Sequence, residues 1–169
     1  MERSTQKVYE LGAVNEQELC SWAKVLGEYL RGGELLLLEG ELGSGKTKFV
    51  RCVAQSLGID ETVIRSPSFT IVNVYPGSVL TLIHADLFRL SSAEEAWDTG
   101  LMEMLDSKSV VAVEWPELIM KDLRETKTII VELSLVDSSH RLVSVFVDSE
   151  LDYLRESLDK YFERFSGGL

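Results

Sequence analysis

The segment ELLLLEGELGSGKT constrains this chain more than any other part of it. Its opening, residues 34–39, is apolar on both faces, as a strand in the middle of a sheet must be. It runs directly into Gly40, Gly43, Gly45, Lys46 and Thr47, which meet the spacing G-x-x-x-x-G-K-[ST]. Behind them Phe49, Val50, Val53, Ala54 and Leu57 recur at helical spacing until Gly58. A phosphate cradle needs this order of strand, glycine loop and helix. Successive backbone N–H groups must turn inward around the anion, where side chains at the glycines would be in the way. The following helix aims its free N–H groups and positive dipole end at the same place. Leu42, Gly43, Ser44, Gly45, Lys46 and Thr47 are therefore the expected nucleotide-binding residues. Lys46 supplies a point charge for the outer phosphates, and the Thr47 hydroxyl is placed to ligate magnesium.

The elements around this segment predict an α/β fold. Asn15 and Glu18 form the N-x-x-E variant of a capping box, and Leu19, Trp22, Ala23, Leu26, Tyr29 and Leu30 then keep helical spacing as far as Gly32-Gly33. Strands are expected at 63–65, 69–75, 79–84 and 110–114, with Pro76-Gly77-Ser78 joining the middle two and Pro116 ending the last. Ser91 is expected to cap a short helix through Trp97. Residues 128–136 alternate, with Ile129, Val131, Leu133 and Leu135 on one face. Val143, Val145 and Val147 do the same after a turn at 137–140, so the pair reads as a hairpin. A last helix is expected to bury Leu151, Leu154, Leu158, Tyr161, Phe162 and Phe165. With no repeat or linker, the reading is a single domain over residues 1–169. The expected fold is that of a P-loop nucleoside triphosphatase, a mixed, partly antiparallel sheet flanked by helices, with the hairpin and helix from about 128 packed onto it.

Composition limits the partners. The 169 residues suffice for one core, and the net charge of -11 repels phosphate backbones and anionic lipid alike. Cys20 and Cys52 form no CxxC pair and read as small residues on two helices, free thiols suited to a reducing cytosol. The start MERSTQKVYE has no apolar signal-like stretch, and the apolar run at 35–38 is too short to cross a bilayer. A cytoplasmic protein without membrane contact is expected.

Magnesium and hydrolysis both call for carboxylates. Two apolar strands end in one: the run 79–86 in Asp86 and the run 110–114 in Glu114. Acids at strand ends lie beside a phosphate loop, where one can hold the metal and the other can orient water. Spacing alone does not divide those roles.

Read together, GELGSGKT, SPSFTIVNVY at 66–75, HADLFRL at 84–90, AEE at 93–95 and EWPE at 114–117 resemble the TsaE family. That family comprises bacterial ATPases that take part in making threonylcarbamoyladenosine on transfer RNA. The likeness covers residues 10 to 117. It implies ATP as substrate, Mg2+ held by Thr47 and Glu114, and Lys46, Asp86 and Glu114 as the catalytic set. It further implies a switch-like segment carrying Ser66, Ser68 and Thr70 that faces the outer phosphate, and Glu16 near the adenine end. The implied partners are the proteins TsaD and TsaB, with transfer RNA met only indirectly through that complex. Ala85, Lys48 and Ser68 depart from the usual family residues without removing a group that the chemistry needs.

Other residues admit two readings each. His84 and Asp86 face the same way on a strand and could form a dyad, or His84 could simply pack. Trp115 would point away from Glu114 if the strand continued, as a core residue, or it could position the site or a partner. Arg89 could reach a phosphate or pair with Glu94 or Glu95. Two other functions stay open at this stage, a small-molecule kinase and a nucleotide-gated binding module with little hydrolysis. A GTPase is disfavoured because the sequence has no N-K-x-D segment to read guanine.

Overall fold

The computed structural model describes residues 6–123 and 126–166, the last two by backbone alone. The burial expected of the Phe165 side chain therefore lies outside what is described. A single seven-stranded sheet organises these residues, in the order β1-β7-β6-β2-β5-β4-β3. The strands are β1 (Lys7–Asn15), β2 (Glu34–Gly40), β3 (Val72–Tyr75), β4 (Thr81–Asp86), β5 (Ser109–Glu114), β6 (Lys127–Leu135) and β7 (His140–Val147). The leucine-rich β2 occupies the centre, parallel to β5 on one side and to β6 on the other, with Leu35 to Leu38 fully buried. β4 runs parallel to β5, and antiparallel pairs complete both ends: β3 on β4, and β7 on β6 with β1 outside it.

Helices α1 (Glu16–Tyr29), α2 (Lys46–Ser56) and α4 (Asp152–Ser166) cover one face of the sheet, where Leu19, Phe49, Val53, Leu154 and Leu158 join Leu36 and Leu38 in one core. The short α3 (Ala93–Trp97) and irregular turns cover the other, where Ala96, Leu101 and Ile119 meet Leu35 and Leu37. The capping box is complete. Asn15 Oδ1 accepts from the Gln17 and Glu18 N–H groups, and Glu18 accepts from Asn15 N–H at 2.8 Å. A cap of this kind contributes about 1 kcal/mol.

Several sequence expectations are corrected. Residues 63–65 form no strand, because Asp60 caps a short 3-10 turn over Glu61–Val63 instead. The strand expected from 69 begins only at Val72: Ile71 takes a left-handed φ of 67° in a turn closed by its N–H to Pro67 O, which stops the ladder. Ser92, not Ser91, caps α3, while Ser91 N–H donates to the Glu95 carboxylate. Leu135, placed on the buried face by alternation, is 41% exposed at the end of β6.

β1 was not expected. Its alternation is broken by a register shift between Glu10 and Gly12, so Tyr9 and Val14, five apart, are both buried. The expectation of free thiols also fails, since Cys20 on α1 and Cys52 on α2 are joined in a disulfide. These helices approach closely at Gly27, where an added Cβ would lie 2.9 Å from Ser56 Cβ. That contact brings the two cysteine Cα atoms within 5.3 Å.

Candidate active site at the phosphate loop

β2 delivers the chain to the loop, and Gly40 makes the exit possible. Its φ is 152°, and a Cβ there would sit 2.4 Å from the Leu133 carbonyl oxygen. Gly45, at φ 107°, caps α2 in the left-handed region, so the loop turns straight into the helix that begins at Lys46. Lys46 is 4% exposed and donates to the Gly40 and Glu41 carbonyls at 2.6 and 2.9 Å. Burial pulls its ammonium below the usual lysine range, against the raising influence of Glu114 and Asp86 nearby.

The two strand-end acids stand side by side because β4 and β5 pair Asp86 with Glu114. Each is 4% exposed, and their bonding differs. Glu114 Oε1 accepts from the Thr47 hydroxyl at 2.7 Å and lies 2.8 Å from His84 Nε2. Asp86 Oδ2 accepts from the Ser68 hydroxyl at 2.6 Å, and its Oδ1 accepts from Phe88 N–H at 2.9 Å. Ser66 and Ser68 touch through their hydroxyls at 2.8 Å, so segment 66–70 is tied to Asp86.

A cleft of ≈250 Å³ lies over these groups, lined by Leu42, Gly43, Gly45, Lys46, Thr47, Lys48, Ser66, Ser68, Asp86, Phe88, Glu114 and Trp115. Most of the expected site residues thus meet around one space. Trp115 joins them and does not point away as it would if the strand continued. The strand ends at Glu114, and Trp115 adopts a left-handed φ of 57° ahead of Pro116. That turn swings its ring to 4.0 Å from Lys46 Nζ and 4.8 Å from the Phe88 ring. The His84–Asp86 dyad is not formed, because His84 bonds Glu114 instead. Arg89 reaches neither acid proposed for it in the sequence reading; its guanidinium lies 4.3 Å over the Phe69 ring.

Three expected residues stand apart from the cleft wall. The Ser44 side chain is fully buried, Thr70 is bonded to Asn73 Oδ1 at 2.7 Å, and Glu16 lines a separate hollow with Asn15, Gln17, Ser138, Ser139 and Arg141. Sequence reasoning missed Phe88, Lys48 and Arg141. Arg141, 7% exposed on β7, lies against the loop: its Nε would be 3.6 Å from a Cβ on Gly45. Its number in the chain gives no hint of this, since only the antiparallel return of β7 brings it there.

A family model described as threonylcarbamoyl adenosine biosynthesis protein TsaE matches residues 13–143. The chain belongs to the TsaE family. The match extends past the motifs into β7 and so includes Arg141. Among relatives named tRNA threonylcarbamoyladenosine biosynthesis protein TsaE, that of Treponema pallidum is 38% identical over 129 residues, which is 76% of this chain and 93% of the relative. The Bacillus subtilis protein of the same name is 34% identical over 148 residues, covering 88% and 92%. The crystal structure of Bacillus subtilis YdiB superposes with a TM-score of 0.71 at 27% identity, covering 92% of this chain and 97% of that one. The mixed sheet with flanking helices is therefore shared with a solved structure. Among the described residues, no helix is long and apolar enough to cross a membrane.

Proposed function

We propose that this protein binds ATP with magnesium at the phosphate loop and hydrolyses it, as one component of the assembly that makes threonylcarbamoyladenosine on transfer RNA. The bond between the Thr47 hydroxyl and Glu114 carries this reading. It sets a loop hydroxyl and a strand-end carboxylate together at the wall of a cleft that Lys46 also lines. Both are hard oxygen donors, as magnesium prefers, and magnesium takes only one or two protein ligands when phosphates supply the rest. Among the described residues no group of three or more His, Cys, Asp or Glu could hold a metal unaided, in keeping with an ion shared with the nucleotide. Thr47 and Glu114 would hold it, and the bound ion would neutralise charge on the outer phosphates.

The remaining steps fall to the chain's own groups. Lys46 places its charge against the outer phosphates. Asp86, held by Ser68 and Phe88 N–H, accepts a hydrogen bond from the attacking water and orients it. With a net charge of -11 the chain is a poor receptor for transfer RNA, so it meets RNA only through partners. By family likeness those partners are TsaD and TsaB. Segment 66–70, tethered to Asp86 through Ser68, is the part of the site that such partners would reset, so turnover by the isolated chain is slow.

Calorimetric titration of ADP with and without magnesium, beside ATP turnover with and without the partner pair, tests this. Thr47→Ala and Glu114→Ala should abolish the gain in affinity that magnesium gives, whereas Asp86→Asn should retain nucleotide and metal dependence while losing turnover. If Asp86→Asn removes metal dependence and Glu114→Ala leaves it intact, the two roles are exchanged. Turnover indifferent to the partners would refute the proposed place in the assembly.

A further inference from the structure

His84 has no part in the chemistry set out above, and packing alone accounts poorly for it. It is fully buried on β4. It shares a sheet face with Leu82, where an apolar residue would pack with no polar atom to satisfy. Nε2 meets Glu114 Oε1 at 2.8 Å, while the buried Nδ1 has no hydrogen-bond partner among the described residues. A carboxylate oxygen in this contact accepts, so Nε2 is the nitrogen that donates to Glu114. The imidazole thus gives up one nitrogen to make a single bond, and that bond goes to Glu114.

The consequence lies in how Glu114 is held. Thr47 Oγ1 at 2.7 Å and His84 Nε2 at 2.8 Å converge on the same oxygen, Oε1, which leaves Oε2 free of both. One donor comes from the first turn of α2 and the other from the neighbouring strand, so the carboxylate is gripped from two elements. Because Thr47 spends its hydrogen on Glu114, the lone pairs of its hydroxyl oxygen stay available. The fold then separates two tasks along β4: His84 serves Glu114, and Asp86, two residues on, serves the water.

We propose that His84 is a positioning residue, whose Nε2–H fixes Glu114 in the orientation that lets it and Thr47 serve one magnesium ion. This rests on the reading that Thr47 and Glu114 hold the metal. Partners that orient metal-ligating carboxylates typically matter by about 10–100-fold in metal affinity.

The test is calorimetry of ADP binding across a magnesium series and in EDTA, for His84→Phe, His84→Gln, Glu114→Ala and the His84→Phe/Glu114→Ala double variant. His84→Phe should raise the magnesium concentration needed for half-effect by about 10–100-fold, with ADP affinity in EDTA unchanged. His84→Gln, whose amide N–H can reach the Nε2 position, should recover most of the loss. In the Glu114→Ala background His84→Phe should leave ADP affinity unchanged at every magnesium concentration, whereas a merely structural residue would lower it with and without the metal. Should His84→Phe fail to fold, His84→Asn carries the same expectation, since its shorter amide falls short of Glu114. An unchanged magnesium response, or equal losses with and without magnesium, overturns the proposal. Glu114→Ala retaining the wild-type magnesium response would show instead that the metal reading itself is wrong.

Discussion

The two flanks of the phosphate loop are built on opposite physical terms. On one, Thr47 and His84 meet Glu114 and Ser68 meets Asp86 at 2.6–2.8 Å, and both acids are 4% exposed. On the other, Asn15, Glu16, Gln17, Ser138, Ser139 and Arg141 line an open hollow of ≈340 Å³, and Glu16 pairs with Lys48 across 3.4 Å with its side chain 66% exposed. In the buried flank low local dielectric makes each bond strong and each missing partner costly. The exposed Glu16–Lys48 pair of the open flank is screened and individually weak. The difference teaches where sharp requirements should fall. On the proposed function, metal and water chemistry would fall to the buried flank, and contact with the rest of the nucleotide would be spread thinly over the open one.

The largest effect should come from cutting what anchors the open flank. α1 carries Glu16 and is stapled to α2 by the Cys20–Cys52 disulfide, which spans 32 residues of sequence. Closing a loop of that size constrains the unfolded chain by about 3–4 kcal/mol. Cys20→Ala should lower stability by that amount in denaturant titrations, a fall in melting temperature of roughly 10 °C for a chain of this size. The magnesium dependence of ADP binding should survive, because Glu114 and His84 stand on the sheet and Thr47 opens α2 directly after the loop from β2, so none of the three lies on α1. Loss of that dependence in the variant would break the separation of the flanks.

Lys46 belongs to both. Its ammonium is charge-assisted toward any phosphate, a contact worth about 1.5–3 kcal/mol. Lys46→Ala should weaken ADP by roughly tenfold or more, to the same degree in magnesium and in EDTA. Unchanged affinity by calorimetry would remove the loop as the phosphate site.

How much of this was legible in the sequence follows the same division. The loop, α1 with its capping box and the strand-end acids are written in local spacing, and each is where that spacing put it. The bond from His84 to Glu114 is not, because same-face logic along one strand offers Asp86 as the partner while the bond runs across to β5. Trp115 was left with two directions for a related reason. Alternation assumes an extended chain, and the left-handed turn before Pro116 rotates the ring back over Lys46. Arg141 was out of reach, since β7 returns antiparallel beside β6 to place it against Gly45. The disulfide depended on how closely two helices pack, which Gly27 and Ser56 decide and no cysteine spacing announces.

The smallest effect should be at Glu16, and it sharpens the comparison most. Family likeness puts this residue near the adenine end, whereas its visible partner is the Lys48 ammonium at 3.4 Å, itself 37% exposed. Exposed pairs of this geometry contribute about 0–1 kcal/mol and fade with salt. A carboxylate also gains little by facing the anionic end of a nucleotide, so any direct role would have to be toward the base or sugar. Glu16→Gln keeps the side chain's length and hydrogen-bonding oxygen and removes only the charge. ADP affinity should then change by less than about fivefold, equivalent to roughly 1 kcal/mol. The change should shrink further in high salt and be the same with and without magnesium. A tenfold or larger loss that persists in high salt would mean that Glu16 reads the nucleotide through a screened-off contact. The open flank would then hold a requirement as sharp as the buried one, and the contrast between them would be one of exposure only and not of function.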